Sequence, residues 1–214
     1  MMYKEDRAAI IKAALEIKEY GLIQLSGGNV SLREPNGDIL VTPSGMPYEP
    51  MKPEDVLVLD KTGKVIEGKL RPSVDTVALL YIYDKLPEIK AIIHTHQPYA
   101  TAVGLISNTL PACNTTLCNV TKGAVSVAPY SNPASLNMGI QTVEYLNGKK
   151  AVILKHHGVV TVGENLKEAV YAAVYMEDSA KCYMAARAAG QVALMTEKQV
   201  KDAVAVFDDY GQKK

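Results

Sequence analysis

The four histidines of this chain fall into two short clusters, AIIHTH at Ala91 to His96 and AVILKHHG at Ala151 to Gly158. Each cluster closes an apolar run with the composition of a β-strand. On an extended strand the side chains at i and i+2 share a face, so His94 and His96 present two imidazoles side by side. One more imidazole from the second cluster completes a three-histidine metal site with positions left open for a substrate. Adjacent residues face opposite ways, so only one of His156 and His157 can easily join, and strand alternation does not choose between them. Three neutral nitrogens leave a divalent ion its full charge, which suits a Lewis acid that polarises a carbonyl and stabilises an enediolate. Zinc is the first expectation, and Mn2+ and Co2+ are also accepted by imidazole.

A second constellation surrounds glycines. SGGNVS at Ser26 to Ser31 and TPSG at Thr42 to Gly45 are small, hydroxyl-rich turns able to present backbone amides and side-chain donors to an anion. RPSVD at Arg71 to Asp75 adds Ser73 at an expected helix start, where the helix dipole favours phosphate. Together these turns suggest a phosphate cradle. It is not a nucleotide site of a common kind, because GxxxxGK[ST] and GxGxxG are both absent.

The elements that must position these residues follow from periodicity and punctuation. Apolar residues at Ile10, Ile11, Ala14, Leu15 and Ile17 recur at helical spacing and stop at Gly21, a good C-terminal cap. Short strands are expected at 29–32, 39–42, 56–59 and 64–67, separated by turn residues such as Asn36-Gly37-Asp38 and Thr62-Gly63. A helix capped by Ser73 is expected over 74–83, a strand over 89–94, and a helix from Pro98 towards Val103. Strands at 124–127 and 151–155 flank a helix at about 135–146. An alanine-rich helix capped by Asn165 covers 166–189, and Thr196-Glu197-Lys198-Gln199 reads as a capping box opening a last helix. No repeat or linker interrupts the 214 residues, so one α/β domain over 1–214 is expected.

Composition excludes several classes of function. Lysine plus arginine and aspartate plus glutamate number 23 each, so no charge excess draws the chain to nucleic acid. Charges interleave the apolar residues of the first 21 positions, which leaves neither the apolar centre of a signal peptide nor a membrane span. A cytoplasmic protein is expected. Cys113, Cys118 and Cys182 form no CxxC pair and are expected as small core residues.

SGGNVS, TPSGMPYE, EGKLRPSVD, HTH and KHHG, in this order and spacing, resemble the class II aldolase and adducin-head family across essentially the whole chain. DDYG around Tyr210 resembles the tail of its aldolases. The resemblance implies a three-layer α/β/α fold with a mainly antiparallel central sheet, and a ring-like homotetramer with active sites near subunit interfaces. It implies zinc held by His94, His96 and His157, substrate phosphate among Asn29, Ser44, Gly45 and Ser73, and Asp75 as the acid/base beside the metal. Tyr210 would reach a neighbouring active site and handle the aldehyde oxygen. The implied activity is reversible cleavage of a ketose 1-phosphate, of the L-fuculose 1-phosphate kind, to dihydroxyacetone phosphate and an aldehyde.

The segment Ser73-Val74-Asp75 departs from the paired serines and glutamate usual in these aldolases. Aspartate here is closer to the related L-ribulose-5-phosphate 4-epimerases, which make epimerisation the alternative. Those epimerases carry an aspartate where this chain has Asn119, and an amide cannot take up a proton as a carboxylate does. Decarboxylation of a sugar-acid phosphate is a smaller branch of the same chemistry. An adducin-head-like interaction module is the non-enzymatic alternative, but it has no need of three converging imidazoles.

Overall fold

The computed structural model describes residues 1–207. Among them a nine-stranded sheet has the order β4-β3-β2-β1-β5-β9-β8-β7-β6. Its strands are β1 (Asn29–Arg33), β2 (Ile39–Val41), β3 (Leu57–Leu59), β4 (Val65–Glu67), β5 (Ala91–Thr95), β6 (Thr109–Leu110), β7 (Val125–Ala128), β8 (Ala151–Leu154) and β9 (Gly158–Gly163). Every pairing described is antiparallel except β7 with β8. The helices are α1 (Lys4–Glu19), α2 (Thr76–Lys85), α3 (Pro98–Ile106), α4 (Thr115–Thr121), α5 (Leu136–Leu146), α6 (Leu166–Ala189) and α7 (Glu197–Phe207).

The strands alternate between two cores, which makes three layers. Ala91 and Ile93 of β5 pack with Ile10, Ala14 and Ile17 of α1 and Ala169 and Ala173 of α6. Ile92 of β5 and Val160 and Val162 of β9 face the other way, onto Ala78, Leu79 and Ile82 of α2 and Met138 and Leu146 of α5. Ile153 and Val159 meet α3 and the far half of α6 through Ala100, Val103, Met176 and Ala180. β5 and β9 are therefore covered on both faces, and every residue in them is buried. A strand in that position reads as a continuous apolar run without alternation.

Gly158–Gly163 lies outside the elements expected from sequence, yet it forms β9, which lies between β5 and β8 and joins the two histidine clusters. The short β6 and α4 were also unassigned. α2 begins later than the expected 74–83: Asp75 occupies its N-cap position, and the Ser73 hydroxyl accepts from the Asp75 N–H at 3.3 Å instead of capping the first turn. Cys182 is exposed, which corrects its expected place in the core.

Other signals meet their elements. Gly21, at φ +72°, follows α1, and its N–H donates to the Lys18 carbonyl. The Asn165 side chain accepts from the Glu168 N–H at 3.0 Å. Thr196 and Gln199 form the reciprocal box, with Gln199 N–H on the Thr196 hydroxyl at 3.3 Å and Thr196 N–H on the Gln199 side chain at 2.8 Å. The bond at Gly21 satisfies a carbonyl that the end of α1 leaves free, and those at Asn165 and Thr196 satisfy amides at helix starts.

Candidate functional site

His94 is held inside β5, opposite Asn29 of β1 on one side and Val160 of β9 on the other. His96 lies one residue past the end of the strand. The second pair of histidines lies in a turn and not on the extended strand end expected from sequence. His156 and His157 form the tight turn from β8 into β9, and His156 adopts φ +61°. This left-handed residue breaks strand alternation. His157 comes back beside β5, because the next residues, Gly158 and Val159, belong to the strand that pairs with it. His156 is exposed, with its ring 6.5 Å from that of Tyr130.

The ring centres of His94, His96 and His157 are separated by 4.9, 4.7 and 5.3 Å, and one ligand nitrogen from each lies within 4.8 Å of the others. His94 Nδ1 is 2.9 Å from the Val159 carbonyl. A carbonyl only accepts, so Nδ1 carries the proton and Nε2 offers its lone pair to the cluster. His94 Nε2 and His96 Nε2 are 3.1 Å apart. Two imidazole nitrogens bonded to one tetrahedral zinc at ~2.0–2.1 Å would sit about 3.3 Å apart. His157 Nδ1 is buried with no hydrogen-bond partner among the described residues. A buried polar atom without a partner is costly, and an ion among these nitrogens would supply one.

Electrostatics favour the same occupant. Burial lowers the pKa of His94 to about 4, although the Asp75 carboxylate opposes the shift. Burial also lowers His96 and His157. Near neutral pH all three rings are uncharged, the form that ligates metal. The residues present fit a divalent ion.

Asp75 is 5% exposed and brings its Oδ2 to 3.9 Å from His94 Nε2. Its carboxylate does not cap its own helix. Oδ2 instead accepts from Asn29 Nδ2 at 2.9 Å, and Oδ1 accepts from the Ala134 N–H at 3.1 Å. Ala134 has φ +56°, an uncommon conformation for a residue with a side chain. Carboxylates buried this way are retained where hydrogen bonds meet the charge.

Of the expected phosphate residues, Ser44, Gly45 and Ser73 lie on two turns that are bonded to each other and form one rim. The turns at 42–45 and 71–73 are joined by the Ser44 N–H on the Arg71 carbonyl at 2.9 Å and the Ser73 N–H on the Thr42 carbonyl at 3.2 Å. Ser44 and Gly45 are exposed, and Gly45 has φ +69°. Ser73 is buried beside Asp75. Asn29 is drawn away from this rim towards the carboxylate, though its Oδ1 has no partner among the described residues. Asn119 is in α4, where its amide, turned so that its nitrogen faces the two nearby acceptors, would donate to the carbonyls of Thr115 and Ala203. Tyr210 lies outside the described residues.

Several contributors were not singled out from sequence. Gly28 was read as part of an anion-binding turn, but a Cβ there would stand 2.3 Å from the His94 carbonyl oxygen. A Cβ on Gly158 would stand 2.2 Å from that of Thr95. These glycines let two chain segments lie directly against the histidine strand. A glycine immediately following KHH was the available signal for the second.

Residues 8–184 match the family model described as the Class II Aldolase and Adducin N-terminal domain. This chain is a class II aldolase family member. It is 30% identical over 213 residues to the 5-deoxy-D-ribulose 1-phosphate aldolase of Bacillus thuringiensis serovar kurstaki, covering 99% of this chain and 100% of that one. It is 32% identical over 203 residues to the L-fuculose phosphate aldolase of Haemophilus influenzae, covering 94% of this chain and 93% of that one. A solved L-fuculose 1-phosphate aldolase superposes with a TM-score of 0.92 at 28% identity, covering 97% of this chain and 98% of that one. The three-layer, mostly antiparallel architecture is thus the family's fold. Within the described residues no helix is long and apolar enough to cross a membrane.

Proposed function

We propose that this class II aldolase family member is a zinc-dependent lyase that reversibly cleaves a ketose 1-phosphate to dihydroxyacetone phosphate and an aldehyde. The observation that carries this reading is the buried Asp75 carboxylate set 3.9 Å from a histidine whose free nitrogen faces two further imidazoles. His94, His96 and His157 would hold the ion. When bound, it supplies Lewis acidity to the oxygens of the ketose, where negative charge develops as the carbon–carbon bond breaks.

The chain's own groups supply the rest. Asp75 holds or moves a proton at the carbon that becomes nucleophilic. It is kept in place by Asn29 and the Ala134 N–H, so no reorientation is needed when the substrate arrives. Ser44, Gly45 and Ser73 are suited to the phosphate, because the two turns that carry them are bonded to each other. The Asn29 Oδ1 is free to accept from a substrate hydroxyl. Tyr210 from a neighbouring subunit would handle the proton at the aldehyde oxygen, taking it from the hydroxyl in cleavage and returning it in synthesis, in a cytoplasmic homotetramer.

Aspartate at position 75 favours epimerisation of a pentose phosphate as the second reading. The two are separated by incubating the metal-restored protein with L-fuculose 1-phosphate and with L-ribulose 5-phosphate. Release of dihydroxyacetone phosphate supports the lyase, whereas an epimeric pentose phosphate with no triose supports the isomerase. Turnover of neither, together with less than about a tenth of an equivalent of bound metal, would favour an interaction module. Light scattering of the same preparation tests the tetramer.

A further inference from the structure

We infer that Glu177 of α6 is a positioning residue for His96, acting across about eighty residues of sequence through the first turn of α3 to set how tightly the three-histidine site holds its metal; the inference rests on the reading of that site as a metal centre. His94 is fixed by strand pairing on both sides, but His96 follows the last paired residue of β5, so the sheet does not hold it. Its position depends on the chain that leaves the strand.

That chain is fixed from α6. The Thr95 hydroxyl donates to the Gln97 side-chain oxygen at 2.7 Å, and Gln97 Nε2 donates to the Ala173 carbonyl at 2.9 Å. Gln97 is fully buried, so both bonds are sheltered from water. α3 then starts at Pro98, which has no N–H to satisfy. The Tyr99 N–H donates to Glu177 Oε1 and the Ala100 N–H to Oε2, each at 2.9 Å, while the Thr101 N–H reaches the Gln97 carbonyl at 3.0 Å. The whole first turn is accounted for, and its two side-chain-capped amides depend on one carboxylate.

Capping alone does not call for this arrangement. A serine or aspartate at position 97 could cap the helix locally. Here the cap is a carboxylate only 2% exposed, brought from another helix, and a charge so buried is retained only where it is well bonded. The same helix also receives the Thr161 hydroxyl of β9 on its Ala169 carbonyl at 3.0 Å. β9 directly follows His157. α6 therefore ties down the segment that leaves His96 and the strand that follows His157, and it fixes the spacing between those two rings.

The test titrates the metal-free full chain with Co2+ against a competing chelator and records the visible absorption of the bound ion, which reports coordination geometry. Glu177→Gln keeps the volume and turns one acceptor into a donor facing an N–H. Gln97→Met cuts the link to Ala173 without changing charge, and Leu59→Ala, in the core at β3, controls for lost stability. Groups that orient metal ligands typically change affinity roughly 10–100-fold when altered. Glu177→Gln and Gln97→Met should weaken Co2+ binding by that factor and shift the absorption band, while Leu59→Ala leaves both unchanged. Affinity and spectrum equal to wild type in Glu177→Gln would overturn the inference. If that variant does not fold, Glu177→Asp, which shortens the carboxylate's reach to the Tyr99 and Ala100 amides, decides on the same two readouts. Failure of the wild-type chain to bind Co2+ would instead remove the metal centre, and this inference with it.

Discussion

The two parts of the candidate site are built differently. Around the histidines, side chains are held by partners distant in sequence: Asp75 by Asn29 and Ala134, His94 by Val159, and the strand exit by Glu177. The rim at Ser44 and Gly45 is exposed, and although its turns are also distant in sequence, they are held by backbone bonds alone and not by buried side chains. The first region is organised before any ligand arrives. The second leaves the Ser44 hydroxyl in water until an anion displaces it, while the Ser44 amide is already bonded to the Arg71 carbonyl. The contrast suits a site whose chemistry needs fixed geometry at the reacting atoms and only moderate attraction at the remote end of the substrate.

Substitutions can break that contrast or sharpen it. The largest effect is expected from His96→Ala, which removes one of three donors; metal content and turnover should fall together, and full turnover with bound metal would refute the assignment. Asp75→Asn should keep the metal and slow turnover by a factor of about 10²–10⁴, the usual range for a positioned acid or base. An unimpaired rate at full metal occupancy would remove Asp75 from the chemistry. In Gly28→Ala the new methyl meets the His94 carbonyl at 2.3 Å in a backbone with φ +78°. Overpacking and the left-handed conformation together should cost about 2–4 kcal/mol, seen as a lower thermal midpoint that excess metal only partly restores. A midpoint equal to wild type would show that the strand can shift freely. The smallest effect belongs to Ser44→Ala, where loss of one exposed hydroxyl should weaken substrate binding by about 0.5–1.5 kcal/mol, read as a raised KM with kcat and metal content unchanged. A drop in kcat with KM constant would place Ser44 at the reacting end instead.

Much of this was legible in the sequence. The helix over 166–189 and the box at Thr196 depend on neighbours three or four positions away, and both formed where local chemistry placed them. The HTH spacing placed two imidazoles on one side because β5 runs extended up to Thr95. The choice between His156 and His157 was not legible from alternation, since a left-handed turn at His156 resets the direction in which the next side chain points. The family resemblance named His157, and the turn supplies a physical reason why it differs from its neighbour. β9 is buried on both faces like β5, so alternation marks neither strand, and β9 carries the same apolar composition by which β5 is expected.

Sequence by itself determined the parts that depend on short range: residue types able to bind a metal, helix ends, and the hydroxyl-rich turns. Only the tertiary structure decided that Asn29 would hold Asp75 across 46 positions, that Ala134 would turn its N–H to the same carboxylate, and that Glu177 would cap a helix beginning 79 residues earlier. The physical reason is that periodicity records which face of an element is buried, whereas the partner of a buried polar group is set by the order in which strands and helices are stacked. That order places residues remote in the chain within hydrogen-bond reach, and spacing along the sequence carries no record of it.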